Sequence, residues 1–204
     1  MIEQEEVFFS EEESLQLITQ MILKAKDDFI ETGISALMWG SIVTICALVE
    51  FASSFYDMPW ASGIWLLTFF AVIPQIIISV REAKKKKFKT HHDDSMGGIW
   101  IAFGISMFLL NFYLNTLTVP LAGLHINTIF LIVYGIPTFA TGFARRFTPM
   151  VFGGIACWVL AIISVYTPYP YVMLVVAGAA LLAWFIPGLI LQRRYLKAKR
   201  AQHV

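Results

Sequence analysis

The sequence predicts an all-α membrane protein: six transmembrane helices arranged as three antiparallel hairpins, preceded by a cytoplasmic amphipathic helix. Three observations predict it. The 204 residues are 58% hydrophobic and only 14% charged, whereas a soluble domain is about half apolar and a quarter charged. The apolar residues fall in blocks of about twenty, the length of helix that crosses ~30 Å of hydrocarbon. The 15 Lys and Arg are confined to alternate connections between those blocks, the pattern left when positive charge stays on the cytoplasmic side.

Residues 1–32 are the expected cytoplasmic N-terminal segment. The leading residues are acidic and the first long apolar block begins near Ile34, so no cleavable signal peptide is expected. Ser10 and Glu13 have the spacing of a capping box, each able to satisfy a free N–H of the other's turn. Behind them Leu15, Ile18, Ile22, Ala25 and Phe29 recur every three or four residues, one apolar stripe on a helix over 10–32. Such a helix lies on the inner membrane surface or packs against a cytoplasmic protein partner.

The six-helix transmembrane domain is expected over 33–192, with spans at about 34–51, 61–80, 98–117, 124–143, 150–166 and 171–191. Short turns around Pro59, Pro120 and Pro168 to Pro170 join them in pairs, which forces antiparallel hairpins. Every Lys and Arg lies before the first span, between the second and third, between the fourth and fifth, or after the sixth, in a basic tail over 193–204. The positive-inside rule then places both termini in the cytoplasm of a bacterial inner membrane. Tyr56, Trp60, Trp65, Tyr113, Tyr166, Tyr169 and Tyr171 sit where outer interfacial anchors belong. Cys46 and Cys157 fall inside apolar blocks and read as small hydrophobes.

The three expected hairpins resemble one another. Gly40, Gly104 and Gly154 precede Pro74, Pro137 and Pro187 by 34, 33 and 33 residues. This reads as an internal repeat in which Gly permits close helix packing and Pro kinks the partner helix. Gln75, beside Pro74, is expected to donate to a carbonyl freed at the kink.

Polar residues inside a membrane are costly and therefore functional candidates. Glu50, Asn111, Asn115, His125 and Asn127 all lie toward the outer ends of their spans, a candidate polar site for a cation, a proton or a polar ligand. The competing reading is that side chains this close to the interface reach water and cap helix ends. Lys84, Lys85, Lys86 and Lys87 form a run that sets topology and contacts anionic lipid headgroups. His91, His92, Asp93 and Asp94 are adjacent residues that cannot all converge on one ion, so no metal site is expected; Asp93, Asp94 or Ser95 reads as the N-cap of the third span. Phosphate loops, zinc-binding His-Glu-x-x-His, the Gly-x-Ser-x-Gly elbow and CxxC are missing from the sequence. No cofactor and no nucleic-acid partner is expected, and a homo-oligomer is allowed.

Glu12 to Ile22, then Ala25-Lys26, Leu37-Met38-Trp39-Gly40, Gly153 to Trp158 and Ile186-Pro187-Gly188, resemble a family of membrane proteins abundant in Bacteroidota. The resemblance runs from about Ser10 to about Leu196. It implies a six-helix inner-membrane protein and carries over no catalytic residue. The leading functional expectation is a non-enzymatic sensor, regulator or scaffold. The alternative is a small transporter or channel using the outer polar residues, and a minor third is an intramembrane enzyme using Glu50 and His125.

Overall fold

The computed structural model describes residues 15–16, 32–85, 91–116 and 126–201. The expected helix over 10–32 lies almost wholly outside the described residues; Leu15 and Gln16 are helical and exposed. Six long helices follow: α1 (Ile34–Ser53), α2 (Leu66–Lys85), α3 (His91–Thr116), α4 (Ile126–Ala144), α5 (Thr148–Tyr166) and α6 (Val172–Ala201). All six are long and apolar enough to cross a membrane. Among the described residues there is no strand.

Local sequence sets the boundaries. Gly33 has φ 70°, a left-handed conformation that glycine adopts at no steric cost, and it turns the chain into α1. Pro59, with φ fixed and no N–H to lose, starts a short 3₁₀ turn over Pro59–Gly63. That turn occupies the start of the expected second span and delays α2 to Leu66. α3 is already helical at His91, so Asp93, Asp94 and Ser95 lie inside its first turns instead of capping it. Past Leu191 the chain remains helical as far as Ala201, well into the expected basic tail. Inside α6, residues Leu181–Phe185 form a π-type segment, a local widening of the helix that the uniform apolar sequence does not signal.

Packing is uneven. α1 lies mainly along α6, and α4 along α5, with α5 and α6 also in contact. Leu131, Cys157, Ala161, Ala179, Ala183 and Trp184 form the buried cluster at the centre. α2 and α3 touch this core thinly: 6% of each span is buried, against 28–33% for the other four. The glycines of the expected repeat divide accordingly. A Cβ on Gly40 would lie 2.6 Å from the Phe185 nitrogen and one on Gly154 would lie 2.7 Å from the Phe139 side chain, but one on Gly104 would meet nothing within 4 Å. Pro137 and Pro187 are buried, whereas Pro74 is exposed.

Cross-helix contacts identify the two ends of the bundle. At one end, Thr32 bonds to Glu82, Gly33 lies against Gly188, and the Arg194 guanidinium sits over Phe147. At the other, Ser54 bonds to Tyr169 and the Phe51 ring meets Tyr171. The described Lys and Arg of α2, α6 and the α4–α5 turn therefore gather at the first end.

Candidate functional site

Of the expected polar site, the structure describes the side chains of Glu50, Asn111 and Asn127. The Glu50 carboxylate accepts a hydrogen bond from the Trp65 indole N–H. The 3₁₀ turn after α1 makes this possible by folding Trp65 back over the end of that helix. The Ser53 and Ser54 hydroxyls donate to the Glu50 carbonyl at 2.8 and 3.3 Å, and the Cys46 thiol donates to the Ile64 carbonyl at 3.5 Å. Asn111 is exposed on α3, which packs chiefly on α4; Asn127 is half-buried at the start of α4. The side chains of Asn115 and His125 lie outside the described residues, as do those of His91 to Ser95 and Lys85 to Lys87. Lys84 is exposed. Among the described residues no group of three or more His, Cys, Asp and Glu could hold a metal ion.

Among the described residues, the densest polar and aromatic constellation lies in the interior. Trp184 sits in the π-type segment, and its indole N–H donates to the Thr138 hydroxyl at 2.9 Å. Thr138 in turn donates to the Tyr134 carbonyl at 2.9 Å. Trp184 makes edge contacts with Trp39, Trp100 and Tyr134 at ring separations of 6.3, 5.3 and 5.4 Å. Trp100 donates to Thr141 at 3.1 Å and packs edge-on against Phe103. One aromatic cluster thus joins α1, α3, α4 and α6. Edge-to-face pairs are favourable because a positive ring edge meets a negative face, and each buried indole N–H shown here has an acceptor, as burial demands. Gly40 on α1 and Gly153 on α5 make room for it: a Cβ on Gly153 would lie 2.6 Å from the Ala183 Cα. The sequence contains a signal for this centre. Trp39, Trp100 and Trp184 all fall toward the basic ends of their spans, in three different blocks.

α2 is tied to α1 by polar contacts along its length. Gln75 accepts from the Trp39 indole at 2.9 Å and donates to Ser35 at 3.2 Å and Ser79 at 3.0 Å. Its amide is thus spent on side chains and not on a carbonyl freed by Pro74. Trp65 on Glu50 secures the chain just before α2, and Thr32 on Glu82 secures its far end.

The basic end has a defined corner. Phe147 N–H bonds to the Gly142 carbonyl at 2.8 Å and Arg146 N–H to the Phe143 carbonyl at 3.2 Å, the paired bonds of a Schellman helix stop. Arg146 takes its left-handed position with φ 51°, where glycine is usual. The Arg194 guanidinium carbon is 5.3 Å from the centre of the Phe147 ring, within cation–π range. Burial lowers the pKa of Arg145 from its usual value, and arginine remains a cation nonetheless.

No family model, curated protein or solved structure matches the chain.

Proposed function

We propose that this is a multi-pass inner-membrane protein that works without catalysis, as a small sensor, regulator or scaffold. The observation that carries the reading is the unequal packing: a tight core of α1, α4, α5 and α6, with α2 and α3 thinly attached. α2, held by a few exchangeable hydrogen bonds, can be displaced at modest cost, which is what a regulatory or docking element requires. In this reading the helices form three hairpins, both termini and the basic end face the cytoplasm, the lysine run contacts anionic headgroups, and the helix over 10–32 offers a partner surface there. The family resemblance belongs to the same reading.

Transport is the alternative, and Glu50 is where the two part. A transport site needs Glu50 to face a ligand path, whereas its carboxylate is engaged locally by Trp65. Reconstitution into vesicles loaded with ions and small polar solutes tests this. The expected result is no flux above empty vesicles, for wild type and Glu50→Gln alike. Flux through the wild type that Glu50→Gln abolishes would establish transport instead.

A further inference from the structure

We propose that the α4–α5 corner, with the adjoining face of α6, binds the phosphate of an anionic membrane lipid through Arg146 and Arg194. The corner is rigid. Its Schellman bonds fix Arg146 and Phe147, and a Cβ on Gly142 would lie 2.5 Å from the Val151 nitrogen, so the two helix backbones nearly touch behind the turn. Phe147 is 6% exposed and serves as a seat for the Arg194 guanidinium. A guanidinium carries its N–H donors along its edges, where the oxygens of a phosphate are bound in pairs.

Arg146, in the turn, is the chain neighbour of Phe147, and Arg194, on α6, lies over the Phe147 ring, so the two arginines belong to one corner. No Asp or Glu occurs from Arg145 through Met150. Like charges held close repel, and an anion between them turns repulsion into two charge-assisted contacts. The surroundings favour a lipid as its carrier. Phe143, 72% exposed, and Phe152, 66% exposed, stand about one turn into α4 and α5 from the arginines. They put apolar surface for an acyl chain just inside the membrane from the phosphate grip. The inference rests on the membrane insertion and basic inner face proposed above, and not on the role given there to α2.

The full chain, purified in detergent, is examined by native mass spectrometry with phosphatidylglycerol and phosphatidylcholine offered together. Wild type is expected to retain phosphatidylglycerol selectively. Arg146→Gln with Arg194→Gln is expected to weaken that retention about 30-fold, the effect of two cations near an anionic headgroup. The charge-matched control, Lys199→Gln with Arg200→Gln, removes two cations more than a turn farther along α6, away from the Phe147 corner, and is expected to shift retention less than about threefold. Thermal unfolding of both double variants checks that the fold survives. If the first double variant unfolds, Arg194→Gln alone is used, with an expected loss of about fivefold. Equal losses in the two double variants would overturn the site in favour of diffuse attraction. Retained selectivity in the Arg146 and Arg194 variant would overturn it outright. Displacement of the lipid by millimolar inorganic phosphate would assign the corner to a soluble phosphate. Failure of the chain to insert into membranes would show separately, as extraction without detergent.

Discussion

Gly40, Gly104 and Gly154 occupy matching places in the sequence, yet a methyl group added to each meets different surroundings. At Gly40 it would press on the backbone of Phe185, and at Gly154 on Phe139. At Gly104 it would enter open space among the described residues. Gly40→Ala is therefore expected to destabilise by about 1–3 kcal/mol, the usual cost of overpacking where backbone must move. Gly104→Ala is expected to leave stability unchanged or raise it by up to ~1 kcal/mol, since alanine is the better helix former. Unfolding midpoints in detergent would check the pair, and equal effects would show that the two glycines share a packing role. Which glycine is packed was not legible from the spacing to proline, because packing depends on the facing helix and the spacing does not encode it. Glu50 gives the same lesson. Its position near the end of a span was legible, but its partner was not: Trp65 reaches it only because Pro59 starts a 3₁₀ turn that folds the chain back.

At the scale of elements, α2 and α6 show two ways of holding a helix. α6 is held by burial, with small residues on neighbouring helices fitted against its π-type segment. α2 is held by hydrogen bonds, with Phe69, Phe70, Ile73, Ile76 and Ile77 all exposed. Gln75 is the central tie, bonded to Trp39 and Ser35 across the interface. Interhelical bonds in membranes contribute about 0.6 kcal/mol each on average and rarely above ~1.7. Gln75→Leu removes two of them and strands the Trp39 N–H, so α2 is expected to open about tenfold more often, a change of ~1.4 kcal/mol. Amide hydrogen exchange in nanodiscs would read this as faster exchange in α2 with α4 and α5 unchanged. Unaltered protection of α2 would mean that apolar contact, not the Gln75 bonds, holds the helix. The apolar length of α2 was legible in the sequence. Its thin attachment was not, since a lipid-facing residue and a core residue are equally apolar in a membrane protein.

For the molecule as a whole, six apolar blocks became six helices because hydrophobic length in hydrocarbon leaves the backbone little alternative to a helix. The grouping of charge was legible for a similar reason, and the contacts now give it a physical basis. Thr32 with Glu82 and Phe147 with Arg194 bring α1, α2, α5 and α6 together at the end that carries the described Lys and Arg. Tyr169 with Ser54 marks the opposite end, where the described turns contain no Lys or Arg. If the positive-inside rule governs insertion, the two ends lie on opposite sides of the membrane. The native cysteines make this directly measurable, because Cys46 and Cys157 are 0% and 2% exposed and add little background to thiol labelling. A cysteine replacing exposed Tyr169 is expected to react with a membrane-impermeant maleimide in cells whose outer membrane has been opened. A cysteine replacing exposed Lys197 is expected to react only after the inner membrane is broken. The reverse pattern would invert the protein and move the arginine corner to the outer face. Labelling of both before lysis would place both ends on one side, which six membrane-crossing helices joined as described do not allow.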